Sequence, residues 1–192
     1  MKTTHNLGNL SIQFITDKHL VPDSVHTKRA ERKITDRQKD FDAVEYCISP
    51  EFNWDDISKD ENGKPFIGNL FLGISHSKEK VAVCWSTMNF GIDVQCIEEK
   101  IHRIANKFSN AEERQFADNA EFLTLIWSAK EAVFKYHGHL VDFAGEMTVQ
   151  PFAIDDGEFI LHYHGKHHKN QYFRVSFIKI DNAYLTLALP KS

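Results

Sequence analysis

The sequence predicts an α+β protein built as two similar halves. Apolar runs bounded by polar turns cluster toward both ends of the chain, while helical periodicity dominates the stretch from Ile97 to Tyr136. A strand, turn, strand plan also occurs twice, in GISHSKEKVAV and in RVSFIKIDNAYLTL. In that echo Ile74-Ser75-His76 falls opposite Val175-Ser176-Phe177, and the boundary lies near Met88, giving halves 1–88 and 89–192.

The elements follow in order. LSIQFIT (10–16) alternates apolar and polar residues and reads as a first strand. From His26 to Ile48 glycine and proline are absent and charge is dense, so this is a helix with Ala30, Ile34, Phe41 and Val44 as its buried stripe. ISPEFNWDDISKDENGKP carries loop chemistry. NLFLGISHS and KVAVCWS, split by a short charged turn, form a hairpin, and FGIDVQ is a further strand. Ile97, Ile101, Ile104 and Phe108 stand at helical spacing. Ser109 lies three residues before Glu112, a capping-box signature for a helix through Phe116. A third helix runs from about Ala120 to Tyr136 and stops near Gly138. MTVQPFAI, EFILHYH, YFRVSFIKI and AYLTLALP read as four closing strands.

Composition narrows the function. With 192 residues, 42% hydrophobic and 26% charged, the chain can bury a core without staples. A net charge of −4 provides no global attraction to nucleic acid or to an acidic membrane, so any anionic ligand needs a local cationic cluster. Cys47, Cys84 and Cys96 are odd in number and form no CxxC pair, which argues for a reducing compartment. The N-terminus lacks an apolar signal core and no stretch is long enough to span a bilayer. The expectation is a cytoplasmic protein.

Several residues could carry chemistry. Trp127, Glu131 and Lys135 are spaced i, i+4, i+8 on one helix face, with Lys130 about a quarter turn round and able to reach the same rim. Taken alone, Glu131 and Lys135 would more often be a surface pair worth ~0.3–0.5 kcal/mol. Asp93 and Gln95 point to one side of a strand while Ile92 and Val94 face the other. Ser75 and His76 sit where a hairpin strand meets its turn, and Gly63-Lys64-Pro65 forms a loop. Lys28, Arg29 and Arg32 concentrate positive charge, though such a run is usually a solvated face. His162 and His164, with His167 and His168 in the next turn, offer a transition-metal alternative, but they lack a nearby carboxylate or cysteine and read as an exposed hairpin.

The order of these signals is more specific than any one of them. GKP, ISHS, GID with a polar residue two on, FSxxE and WSAKEAVFK, from about Lys28 to Lys135, closely resemble the 4′-phosphopantetheinyl transferase superfamily. The length and two-part layout resemble its surfactin-type, pseudo-dimeric branch, which implies halves related by a pseudo-two-fold axis, a site at their junction and a monomer.

The resemblance implies transfer of the 4′-phosphopantetheine group from coenzyme A, as co-substrate, to a serine of an apo acyl or peptidyl carrier protein, releasing 3′,5′-ADP. It further implies that Asp93 and Glu131 hold Mg²⁺ with the pyrophosphate, and that Glu131 is the candidate acceptor of the serine proton. By the same resemblance, Lys130 and Lys135 offset phosphate charge and His76 donates to a phosphate oxygen. Ser75 with Gly63, Lys64 and Pro65 would line the nucleotide, and Lys28, Arg29 and Arg32 would meet the 3′-phosphate. Trp127 would pack beneath the site. Gln95 stands where the branch usually carries a second acidic metal ligand; it would supply a neutral oxygen or orient a metal-bound water. Lys100, Arg103 and Lys107, at i, i+3, i+7, form a basic face suited to an acidic carrier helix, or simply a solvated one. The alternative is a module of the same fold that binds coenzyme A or a carrier without catalysis.

Overall fold

Alternating sequence becomes strand pairing throughout the chain. The computed structural model describes residues 2–7, 10–15, 36–48, 51–138, 141–165 and 170–191. These fall into two compact units, Met1–Met88 and Asn89–Ser192.

The first unit contains β1 (Lys2–Leu7), β2 (Leu10–Ile15), helix α1 (Asp36–Ile48), β3 (Ser58–Lys59), β4 (Pro65–Ile67), β5 (Leu70–Ser77) and β6 (Lys80–Ser86). They form one antiparallel sheet in the order β1-β2-β6-β5-β4-β3. β6 is central, and its Val81 and Val83 meet Ala43, Val44, Cys47 and Ile48 of α1 in a buried core. Burial pushes the thiols of Cys47 and Cys84 up to about 12, so both behave as inert apolar groups. Of the stripe predicted for this helix, Val44 is buried; Ala30 and Ile34, like the cationic Lys28, Arg29 and Arg32, lie outside the described residues.

The second unit contains β7 (Gly91–Cys96), a 3₁₀ turn (Glu99–Ile104), α2 (Ala105–Phe108), α3 (Glu113–Phe116), α4 (Ala120–His137), α5 (Phe143–Glu146), β8 (Met147–Val149), β9 (Glu158–Tyr163), β10 (Gln171–Ile180) and β11 (Ala183–Pro190). Its antiparallel sheet runs β7-β11-β10-β9-β8. α4 lies against β7 and β11. Its Leu125, Ile126, Ala129 and Val133 join Phe108, Val149, Leu161, Phe173 and Val175 in the core. The molecule is thus α+β, with two antiparallel sheets and segregated helices. No helix among the described residues is long and apolar enough to cross a membrane.

Three local expectations change. The segment after β7 is a 3₁₀ turn leading into a short α-helix; Ile101 and Phe108 are buried, but Ile104 is exposed and Ala105 takes its place in the core. The capping box shifts by one residue. Asn110 Oδ1 accepts from the Glu113 N–H (2.9 Å) and Glu113 Oε2 accepts from the Asn110 N–H (2.8 Å). Ser109 Oγ instead donates back to the Ala105 carbonyl (2.8 Å), finishing α2. The two echoing hairpins share a two-residue turn whose first residue is left-handed, Lys78 (φ 50°) and Asp181 (φ 55°). Matching turn to turn sets Ser77 against Ile180, and therefore Ile74 against Phe177 rather than Val175.

Candidate functional site

α4 begins and ends where its sequence says it should. The Asn119 side chain caps the N–H groups of Glu121 and Phe122, both at 3.0 Å. Gly138 (φ 75°) closes the other end in the left-handed conformation and donates to the Phe134 carbonyl at 2.9 Å. Most of the eighteen residues between are buried, including Ser128 and Lys130. A part-exposed stripe remains, with Trp127, Glu131, Phe134 and Lys135 on it. Trp127 lies edge-on to Phe108 (ring centroids 5.2 Å) and against Phe143 (5.5 Å), which anchors the helix at the level of Glu131.

Gly91 brings this helix onto β7. A Cβ there would stand 1.8 Å from the Ala132 carbonyl oxygen and 3.1 Å from the Tyr136 nitrogen, so only glycine permits the contact. Two residues along the same strand face comes Asp93, which is buried (5% exposed). Lys135 Nζ donates to its Oδ1 at 2.8 Å and Ser128 Oγ to its Oδ2 at 2.8 Å. Thr186, paired with Asp93 across β7 and β11, sets its hydroxyl 2.9 Å from Ser128 Oγ. Glu131 completes the group. Burial raises its carboxyl above the ordinary range, the nearby Asp93 charge raises it further, and Lys135 opposes both. Gln95 follows Asp93 by two residues and is half-buried. Ile92 and Val94 are buried as well, so β7 is covered on both faces.

These residues fit a divalent cation. The Asp93 charge disfavours ionisation of Glu131, and a hard cation relieves such a conflict. No group of three or more His, Cys, Asp or Glu side chains able to hold a metal occurs among the described residues. Two carboxylates nevertheless suffice for Mg²⁺ when a substrate phosphate completes its shell.

Lys130 departs from its sequence expectation. Its side chain turns into the core, is fully buried, and lies 2.7 Å from the equally buried Glu113. It therefore neutralises a carboxylate of its own chain instead of standing on the rim. Burial lowers its ammonium, and the Glu113 charge works against that fall. Thr186 and Glu113 belong to no motif in the sequence, and Ser128 stands in WSAKEAVFK without a role of its own. Ser128 and Thr186 look like ordinary small residues until strand pairing brings them to Asp93.

The remaining expected residues lie in the first unit. Ser75 is buried and His76 exposed on β5, with His76 Nδ1 3.5 Å from Asp40 Oδ2 on α1. The GKP stretch is a tight turn. Asp60 Oδ1 accepts from the N–H groups of Asn62 (2.9 Å) and Lys64 (2.8 Å), Gly63 is left-handed (φ 81°), and Pro65 opens β4. Burial lowers the Lys64 ammonium to about 8, with Asp60 opposing, and its Nζ sits 5.5 Å from the Phe71 ring centre.

Two surface features complete the picture. Lys100, Arg103 and Lys107 are all exposed, with Lys100 2.8 Å from Glu98. His162 and His164 are half-buried rather than exposed. His162 stacks on Tyr172 at 4.5 Å and His164 Nε2 lies 3.0 Å from the Gly145 carbonyl, while His167 and His168 are outside the described residues. Stacking holds the His162 ring and a backbone contact the His164 ring, while His162 Nε2 and His164 Nδ1 are buried without a hydrogen-bond partner.

No curated protein matches the chain. The family model of the 4′-phosphopantetheinyl transferase superfamily matches residues 89–188, which span β7, α4 and the strands that support them. With more than half its length matched, and with Asp93, Glu131 and Lys135 gathered on one helix and one strand inside that region, the chain belongs to the 4′-phosphopantetheinyl transferase superfamily.

Proposed function

We propose that this protein transfers the 4′-phosphopantetheine group of coenzyme A to a serine hydroxyl of an apo acyl or peptidyl carrier protein, releasing 3′,5′-ADP. The observation that carries the reading is the convergence of Asp93, Glu131 and Lys135 where β7 meets α4. Such a transfer needs neutralised phosphates, an aligned hydroxyl and an acceptor for its proton. Asp93 and Glu131 would hold Mg²⁺, with Gln95 offering a neutral oxygen beside them. When bound, the cation supplies charge neutralisation at the pyrophosphate.

The chain's own groups do the rest. Ser128 holds Asp93 Oδ2 and, with Thr186, fixes the carboxylate's rotation. Lys135 pairs with Asp93 and is close enough to the rim to serve a phosphate oxygen. Glu131, whose burial makes it a better proton acceptor than a free carboxylate, would take the serine proton. His76, Ser75 and the Gly63-Lys64-Pro65 turn are assigned to the nucleotide and its phosphates, as are Lys28, Arg29 and Arg32. Lys130, buried against Glu113, serves no phosphate.

A Mg²⁺ titration of transfer at saturating coenzyme A tests the metal assignment. Asp93→Asn removes one of two carboxylates and should raise the half-maximal Mg²⁺ concentration steeply. Gln95→Glu should lower it, because Mg²⁺ rewards hard anionic oxygen. An unmoved midpoint for Gln95→Glu would remove Gln95 from the site.

The carrier is assigned to the exposed Lys100, Arg103 and Lys107. Reversing all three to Glu should raise the carrier's KM several-fold and leave that of coenzyme A unchanged, with added salt narrowing the gap. Equal effects on both substrates would place the dock elsewhere. The competing reading, a module that binds without catalysis, draws on the neutral Gln95. The intact Asp93–Ser128–Thr186 cluster favours catalysis, since fixing one carboxylate rotamer with a hydroxyl that a second hydroxyl holds in place serves metal binding more than mere adhesion.

A further inference from the structure

Lys130 stands beside Glu131 in sequence but not in space. Its Nζ donates to the carbonyl oxygens of Phe108 (2.8 Å), Phe143 (2.9 Å) and Met147 (2.9 Å), and to the Glu113 carboxylate (2.7 Å). An ammonium has three protons, so these acceptors saturate it. Glu113 is equally occupied. Beyond Lys130, its Oε1 accepts from the Val149 N–H (2.7 Å) and its Oε2 from the Asn110 N–H (2.8 Å). Both side chains are fully buried. A buried pair with the ammonium protons and both carboxylate oxygens engaged can hold neighbouring segments in one arrangement.

The partners identify what is held. Phe108 ends α2, Glu113 begins α3, Phe143 begins α5 and Met147 begins β8. Four separate segments are thereby tied to a single atom on the helical turn that carries Glu131. Phe108 and Phe143 also form the aromatic bed of Trp127, one turn earlier on the same helix. We propose that Lys130 and Glu113 are positioning residues: together they set the rotation of α4 against its surroundings, and so the placement of Glu131, without touching a phosphate. α2 bears Lys107 and continues the 3₁₀ turn bearing Lys100 and Arg103, so the same pin joins that basic face to α4. The catalytic part of this proposal rests on the transferase reading.

The test compares Lys130→Met with the double variant Glu113→Gln/Lys130→Met. The single variant strands a buried carboxylate, so Tm should fall by roughly 6–20 °C. Mn²⁺, followed by electron paramagnetic resonance, should bind about 10–100-fold more weakly as Glu131 loses its setting. The double variant removes both charges and leaves an amide to accept the Val149 N–H; it should recover most of the Tm and the Mn²⁺ affinity. In transfer assays the single variant should lose kcat with the coenzyme A KM unchanged, and the double variant should regain kcat.

A phosphate-binding lysine would behave otherwise: the coenzyme A KM would rise in both variants, and neutralising Glu113 would rescue nothing. That result overturns the proposal, as does Lys130→Met with unaltered Mn²⁺ affinity. Should Lys130→Met fail to fold, the double variant decides: folded, with near-native Mn²⁺ affinity, it supports positioning, and a raised coenzyme A KM refutes it. A wild type without transfer would overturn the transferase reading, while the Tm and Mn²⁺ measurements would still judge the pin.

Discussion

Glu131→Gln should abolish transfer and leave the protein at least as stable as before. The substitution removes one of the two carboxylates proposed to hold Mg²⁺ together with the group assigned to take the serine proton, and general-base loss alone costs about 10²–10⁴-fold. Stability should move the other way. Burial and the Asp93 charge raise the Glu131 carboxyl in the folded state, so the folded protein binds its proton more tightly than the unfolded chain does. Wild-type stability therefore declines as pH rises from the ordinary carboxylate range through that raised value, and at neutral pH the ionised side chain is a cost. The amide has no such cost and a similar helix propensity. Thermal unfolding and turnover, measured on the same sample at pH 7, should show unchanged or higher Tm with activity lost. Normal turnover would remove Glu131 from the site; a sharp fall in Tm would mean that its charge is compensated.

Gly91→Ala should damage both fold and activity from a position that bears no functional group. The added methyl would overlap the Ala132 carbonyl oxygen, at 1.8 Å, and its carbon, at 2.6 Å. Both are backbone atoms in the middle of a packed helix, so no side chain can swing aside. Overpacking of this severity costs about 3 kcal/mol or more, or roughly 6–12 °C in Tm for a chain of this size. If α4 retreats instead of unfolding, Ser128 and Lys135 draw away from Asp93, and a displacement of about 1 Å at such a site can cost 10²-fold in rate. A native Tm with native turnover would show that helix and strand do not meet as described.

Much of this arrangement was legible in the sequence, for identifiable reasons. The end of α4 was readable because Gly138 acts locally, through a left-handed backbone, whereas the Asn119 side-chain cap emerges only in the structure. The shared face of Trp127, Glu131 and Lys135 follows from helical spacing, and the hairpins from apolar runs broken by short turns. What spacing cannot reveal is which side of a helix is covered when more than half of it is buried. Lys130 is one residue from Glu131, yet that step of about 100° turns it from the rim to the core. Its partner Glu113 belongs to a neighbouring short helix, so pairing them requires the tertiary fold. The capping box slipped for a related reason: both Glu112 and Glu113 offer a carboxylate at about the right distance, and only the buried one is held by Asn110 and Val149. Thr186 comes to Asp93 through a strand that ends the chain, and no local motif announces it.

If the Asp93, Glu131 and Lys135 cluster transfers a phosphopantetheinyl group, the intact mass of a carrier protein will report the transfer. An apo acyl carrier protein and an apo peptidyl carrier protein would each be incubated with the purified chain, coenzyme A and Mg²⁺. The expected result is a gain of one phosphopantetheinyl group on at least one carrier, with equimolar 3′,5′-ADP, abolished both by chelation of the metal and by Glu131→Gln. Coenzyme A that binds the protein while neither carrier gains mass would contradict the account and make this a binding module.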